Sequence, residues 1–296
     1  METDVVASAA DIAGRLGETG YLCDDALATV AFLALRMQRP LLLEGEPGTG
    51  KTALAEAVAD ALDLPLVRLQ CYEGIDATQA LYDWDFPRQI LHLRALEAAG
   101  ASGDGVDVQE AEKSLYDERF LLARPVLAAL QQSPAVLLVD EVDRADDEFE
   151  AFLLEVLSTY QVSIPELGTV AAATPPVVVL TSNRTRELHD ALKRRCLYHW
   201  IDHPGLEREV QIVRSRAPEV SEELTRQVVG VVQQLREIGL QKPPGVAETL
   251  DWARALHHLG TATLDLETSA RTLGALVKYR EDSQRVQQAL DQMLRA

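Results

Sequence analysis

Three observations predict an α/β chain built on a doubly wound parallel sheet and followed by a smaller all-helical domain. Strand-length apolar runs alternate with helical segments through residue 204, and a glycine-rich loop at 45–52 lies between a strand and a helix. From Leu206 to Ala296 the pattern is helical throughout. Alternation of the first kind covers a parallel sheet with helices on both faces. Ligands of such sheets gather at the carboxyl ends of the strands.

Taken in order, residues 3–38 read as helices with a glycine-rich break at Gly14 to Gly20, the second helix capped by Asp24 or Asp25. A strand over Pro40 to Leu43, the loop, and a helix from Thr52 to Leu62 follow, then a second alternating strand over Pro65 to Cys71. Tyr82, Trp84 and Phe86 next alternate with Asp83 and Asp85. Pro87-Arg88 offers a turn, and Leu91 and Leu93 alternate with His92 and Arg94, which predicts a β-hairpin over 81–94. Its aromatic stripe either packs on its own domain or projects toward a partner. Gly100 to Gly105 reads as a flexible acidic loop. Beyond a helix starting at Pro125 and a break at Ser133-Pro134, the strand Ala135 to Val139, a helix over about Glu148 to Tyr160, a polar stretch containing Pro165 and Gly168, and the strand Val177 to Leu180 complete the α/β part. The strand signals stop at Pro204-Gly205, so domains are expected over 1–204 and 205–296, the second broken at Pro218, Lys242 to Gly245 and Gly260.

Composition narrows the classes of function. The 296 residues suffice for a sizeable core, and no apolar run is long enough to span a bilayer. A net charge of −19, from 28 Lys plus Arg against 47 Asp plus Glu, has the wrong sign for a nucleic-acid surface. The acidic start Met1 to Asp4 lacks the features of an export signal, so a cytoplasmic location is expected. Cys23, Cys71 and Cys196 are odd in number and far apart, as free thiols in a reducing compartment would be. The histidines form no metal pattern.

The loop carries the chemistry. Gly45-Glu46-Pro47-Gly48-Thr49-Gly50-Lys51-Thr52, continued by Ala53, is a complete G-x-x-x-x-G-K-[ST] phosphate loop. Its glycines let successive backbone N–H groups turn inward toward phosphate oxygens. Lys51 supplies a point charge for the β- and γ-phosphates, and the Thr52 hydroxyl is placed to ligate Mg²⁺. The helix that follows aims its positive end at the same anion. This pattern predicts binding of a nucleoside triphosphate, ATP with Mg²⁺. Asp140-Glu141, at the carboxyl end of an apolar strand, form a Walker B pair. Asp140 is the Mg²⁺ carboxylate and Glu141 the group that polarises the attacking water. Asn183 ends the next strand, where an amide can orient water or cap the following segment. Arg194-Arg195 offer guanidinium groups suited to phosphate, worth roughly 10³–10⁵ in rate if one completes a neighbouring subunit's site.

These motifs in this order, followed by a helical lid, resemble an AAA+ ATPase, and the 81–94 segment resembles the insert of the helix-2-insert clade. Within it the chain looks like the MoxR group. The stretches Cys71 to Asp76, Leu81 to Gln89 and Lys242 to Arg254 look closest to CoxD-like members, which are associated with maturation of the molybdenum–copper site of carbon monoxide dehydrogenase. The resemblance implies a hexameric ring with ATP between subunits and an arginine finger in trans at Arg195, with Arg194 its alternate. It implies an adenine pocket lined by Tyr21 and Leu22 within Gly20-Tyr21-Leu22. It also implies a partner with a von Willebrand factor A domain and a client metalloenzyme. The chain departs from the pattern at one place: where MoxR proteins carry a sensor-2 arginine early in a lid helix, it reads Val246-Ala247-Glu248, and Arg254 lies two turns further on.

The shared ATPase residues leave other motors open: a rubisco-activase-like protein, a metal-chelatase subunit, or a nucleotide-gated scaffold that turns over slowly. A kinase would need neither Glu141, the arginine pair nor the lid.

Overall fold

A computed structural model of the chain describes residues 6–100 and 108–293. The start Met1 to Asp4 and most of the Gly100 to Gly105 loop lie outside the described residues. The elements run α1 (Ala9–Glu18), α2 (Asp25–Met37), β1 (Leu41–Gly45), α3 (Lys51–Leu62), β2 (Leu66–Gln70), α4 (Ala77–Leu81), β3 (Tyr82–Trp84) and α5 (Phe86–Gly100). Then come α6 (Val108–Leu115), β4 (Leu121–Ala123), α7 (Pro125–Gln131), β5 (Val136–Asp140), α8 (Asp147–Thr159), β6 (Gln161–Ile164), β7 (Gly168–Ala171) and β8 (Val177–Ser182). The remainder is α9 (Asp190–Arg195), β9 (Leu197–Ile201), α10 (Leu206–Arg216), α11 (Glu222–Glu237), α12 (Val246–His258), α13 (Leu266–Leu276) and α14 (Arg280–Met293).

The main sheet has five strands in the order β2-β5-β8-β1-β9. Pairing of β5 with β2 and with β8 is parallel, and the register sets Gln70 opposite Asp140 and Val139 opposite Leu180. The carboxyl ends of three strands are therefore level, which is where the sequence places its polar residues. β5 is buried along its whole length, as a central strand covered on both faces must be.

Two compact units divide the chain. One is built on Val30–Leu42 and Leu62–Tyr198, the other on Ala7–Thr29, Leu43–Ala61 and His199–Ala296. The core of the first gathers Leu137, Val139, Val178 and Leu180 from the strands with Leu127, Phe149 and Leu153 from the helices. In the second, α10 to α14 bury Val213, Val228, Trp252, Leu276 and Val286. On α12 the buried positions Val246, Thr249, Trp252, Ala253 and Leu256 recur at helical spacing, and the Trp252 indole donates to Thr272 Oγ1 at 2.8 Å. The second unit thus takes its longest run from residue 199 onward, together with α1 and the phosphate loop.

Three local expectations are corrected. No hairpin spans 81–94: only Tyr82–Trp84 is a strand, it pairs antiparallel with Leu121–Ala123, and α5 begins at Phe86. Pro87 sits in the first turn of α5, where a missing N–H costs nothing. The aromatic stripe splits accordingly. Trp84 packs edge-to-face on Tyr82 and Tyr116, with centroids 6.1 and 5.4 Å away, whereas Phe86 is 59 % exposed. Second, Gly14 and Gly17 lie inside α1, and the break comes only after Glu18, with Asp24 capping α2 through Leu27 N at 2.7 Å. Third, the polar stretch around Pro165 and Gly168 is a hairpin, β6–β7, closed by Gly168 at φ +86°.

Candidate functional site

The site residues fall into two groups, one in each unit. In the second unit β1 delivers the phosphate loop. A Cβ on Gly45 would lie 2.3 Å from the Ile201 carbonyl oxygen, so only glycine lets the loop leave the strand against β9. Gly48 and Gly50 hold φ +80° and +93°, the left-handed conformations that let the backbone curl around an anion. The Lys51 ammonium is 6 % exposed and donates to the Gly45 and Glu46 carbonyl oxygens at 2.8 and 2.7 Å, and the Thr49 hydroxyl donates to Glu46 O at 2.9 Å. Thr52 and Ala53 occupy the first turn of α3, whose N–H groups have no acceptor within the helix.

Beside the loop lies Tyr21, its ring 3.8 Å from where a Cβ on Gly50 would stand. Tyr21 and Leu22 line a cavity of about 460 Å³ with Ala13, Gly17, Arg208 and Gln211. Burial pushes the Tyr21 hydroxyl well above its ordinary value.

The lid segment also reaches the loop. Val246 N donates to Gly48 O at 3.0 Å, and a Cβ on Gly245 would stand 2.8 Å from Pro47 O and 2.9 Å from Gly48 Cα. Glu248 accepts from Gly245 N at 3.0 Å, capping α12. This contact was missed in the sequence, although two glycines facing each other across a long chain separation are its only trace. Arg254 is engaged elsewhere, with Glu219 Oε1 at 3.3 Å and the Arg216 carbonyl.

A buried polar cluster fixes that segment. Arg236 grips both Glu209 oxygens at 2.7 Å and donates through Nε to Pro244 O at 2.7 Å; Glu209 also accepts from Thr249 Oγ1 and Gln233 Nε2, both at 2.7 Å. Arg236 and Glu209 side chains are 6 % and 0 % exposed. Removing one charge strands the other without compensation. Arg236→Ala is therefore expected to cost about 3–5 kcal/mol in urea denaturation, and Arg236→Met with Glu209→Leu to recover most of it.

The first unit carries the acidic group. Asp140 is buried, with Oδ1 accepting from Thr181 Oγ1 and Oδ2 from Arg68, both at 2.5 Å. Glu141 stands in the left-handed region at φ 54°. A non-glycine residue there is uncommon and mildly strained. Its backbone is held by Glu141 N donating to Thr181 Oγ1 at 2.9 Å. The carboxylate receives Asn183 Nδ2 on one oxygen at 3.3 Å, and Gln70 Nε2 at 3.3 Å and Arg144 Nε at 2.8 Å on the other. Asn183 itself is located by its N–H on Asp143 Oδ1 at 3.2 Å. The sequence points to Asp140, Glu141 and Asn183; it does not reveal Gln70 and Arg68, which only the register of β2 against β5 sets there, or Arg144, which reaches Glu141 from three residues further along the chain.

Arg194 and Arg195 end α9. Arg194 is exposed, and Arg195 is half-buried with Nε on Leu157 O at 3.4 Å. Arg39 donates to the carbonyl oxygens of Arg194, Arg195 and Cys196 at 2.7, 3.1 and 3.2 Å. All three cysteines are free. Burial pushes the Cys71 and Cys196 thiols up to about 12, with Asp140 adding to the effect at Cys71, so neither is a thiolate near neutral pH.

The glycine cradle, the helix N-terminus and the buried Lys51 fit the phosphates of a nucleotide, and in the other unit the buried Asp140 carboxylate is of the kind that suits a divalent cation. A glycine-cradled P-loop between a strand and a helix, with an acid pair at the carboxyl end of another strand of the sheet, defines the class of P-loop nucleotide-binding proteins. The family described as AAA domain (dynein-related subfamily) matches residues 40–196, more than half of the chain, and the chain belongs to it. It is an AAA+ ATPase.

Its similarities to individual proteins are distant. It is 22 % identical over 261 residues to an uncharacterized protein of Staphylococcus epidermidis, covering 86 % of this chain and 89 % of that protein. It is 35 % identical over 119 residues to midasin of Giardia intestinalis, covering 36 % of this chain and 2 % of midasin. With a nuclear valosin-containing protein-like protein of Mus musculus it shares 26 % over 163 residues, 53 % of this chain and 14 % of that one. Among solved structures, a RuvB mutant of Thermotoga maritima matches at 16 % identity with TM-score 0.47, covering 90 % of this chain and 72 % of that one. Among the described residues no helix is long and apolar enough to cross a membrane.

Proposed function

We propose that the chain is a MoxR-type ATPase that couples ATP hydrolysis to remodelling of a client metalloenzyme, with the CoxD-like role, completion of a molybdenum–copper site, as the specific form. The observation that carries the hydrolytic part is the held Glu141 carboxylate. Asn183, Gln70 and Arg144 aim a base at the strand end, a device for water rather than for a substrate hydroxyl. Lys51 and the first-turn N–H groups of α3 hold the phosphates, Thr52 and Asp140 hold Mg²⁺, and Tyr21 and Leu22 take the base. Bound Mg²⁺ supplies charge neutralisation of the phosphates. Glu141 takes the proton of the attacking water while Asn183 keeps its carboxylate oriented. Arg195, or its neighbour Arg194, completes the site of an adjoining subunit in a ring, a hexamer in this reading.

The client assignment is supported by the Cys71 to Asp76, Leu81 to Gln89 and Lys242 to Arg254 stretches, and the partner with a von Willebrand factor A domain comes with the same resemblance. Glu248, standing where an arginine would read the nucleotide, favours a second reading, a slowly hydrolysing nucleotide-gated scaffold.

The test is capture. A tagged Glu141→Gln chain, held with ATP and Mg²⁺ in its own cell extract, should retain a metal-dependent dehydrogenase subunit or a von Willebrand A protein. Retention of rubisco instead would replace the client, and hydrolysis below tenfold over buffer by the wild-type ring with its partner would favour the scaffold.

A further inference from the structure

Glu248 is the carboxylate of the lid that meets the phosphate loop. A Cβ on Gly48 would lie 3.1 Å from Glu248 Oε2 and 3.2 Å from Gly245 Cα. The approach is built from several sides. Glycines at 48 and 245 permit it, Val246 N on Gly48 O fastens it, and Arg236, through Pro244 O, anchors the segment to a buried acid. The remaining charges of the loop are the exposed Glu46 and the Lys51 ammonium, which bonds inward to Gly45 O and Glu46 O. A fixed negative charge has thus been placed against a cradle whose glycines and helix N-terminus are suited to hold anions.

We propose that Glu248 is a specificity-determining residue that sets the site against the triphosphate and in favour of the diphosphate, releasing the lid segment from Gly48 when the triphosphate binds. The proposal rests on the nucleotide-binding reading of the loop. Lys51 and the loop N–H groups attract both nucleotides, so the discriminating interaction is the one that grows with the extra phosphate charge. At an effective dielectric near 20, a like charge several ångströms away changes binding by about tenfold or more. Because Val246 N fastens the segment to Gly48 O, the repulsion is relieved by the segment letting go. An arginine in this place would draw the lid closed on ATP; a glutamate closes it on the product.

The experiment titrates the full chain with Mg²⁺ and either ADP or β,γ-imido ATP, followed by calorimetry. Glu248→Gln keeps an oxygen to accept from Gly245 N and removes the charge. It is expected to tighten triphosphate binding about tenfold and to leave ADP within about twofold, while Glu248→Asp keeps the wild-type ratio. In the wild type, raising salt should narrow the preference for ADP, a measurement that needs no variant. Equal shifts for both nucleotides in Glu248→Gln, or a wild-type ratio indifferent to both salt and charge, would overturn the proposal. A wild-type chain that holds neither nucleotide overturns the nucleotide reading itself and this inference with it.

Discussion

Glu141→Gln is expected to lower ATP turnover by roughly 10²–10⁴-fold while leaving nucleotide affinity near the wild-type value. Lys51 and Thr49 donate to carbonyls of their own loop, and the Glu141 carboxylate is held by Asn183, Gln70 and Arg144. Its loss removes the acceptor for the water's proton. The substituted amide fits once the Asn183 side-chain amide flips. Its oxygen faces Arg144, and its NH₂ faces Asn183, whose side-chain amide turns to present Oδ1. Fold and left-handed backbone at 141 are then retained by the Thr181 hydroxyl. Steady-state phosphate release beside equilibrium nucleotide binding separates the two quantities, and undiminished release would remove Glu141 from the role of base.

Arg195→Ala is expected to slow hydrolysis roughly 10³–10⁵-fold without loss of nucleotide affinity in the isolated subunit. The guanidinium is partly tethered, with Nε on Leu157 O at 3.4 Å, which orients the group and lowers the entropy lost when it meets a phosphate. Arg194 is exposed, so Arg194→Ala decides between the neighbours: a change below about tenfold leaves Arg195 as the finger, and a larger loss transfers the role to Arg194. Mixing Arg195→Ala with Lys51→Ala subunits tests where the group acts. A finger in trans restores hydrolysis at the junctions where an intact loop meets an intact arginine. Two inactive parents that stay inactive when mixed would place the arginine in its own subunit's site.

The strands and the acid pair were legible because their signal is local. β1, β5 and β8 are short apolar runs that end in polar residues, and the phosphate loop fixes which end matters. The segment after residue 80 was not legible for the opposite reason. β3 pairs with Leu121–Ala123, beyond two intervening helices, so no neighbouring alternation records it. The Leu91 and Leu93 alternation that suggested a returning strand covers only four residues, too few to separate a period of 2 from one of 3.6. The groups around Glu141 were hidden likewise: Gln70 reaches it only because β2 lies level with β5, a matter of register that side-chain type does not reveal. Gly245 and Glu248 read as an ordinary helix start, and their second function as a seat for Gly48 needs the lid and the loop to be seen together.

Arg39 has a mechanical consequence. It stands just ahead of β1 and, with one guanidinium, ties down three consecutive carbonyls at the end of α9. A tug on the chain entering β1 is thereby transmitted to the backbone that bears Arg194 and Arg195. The turn that enters β1 and the backbone that bears the guanidinium pair are held as one piece.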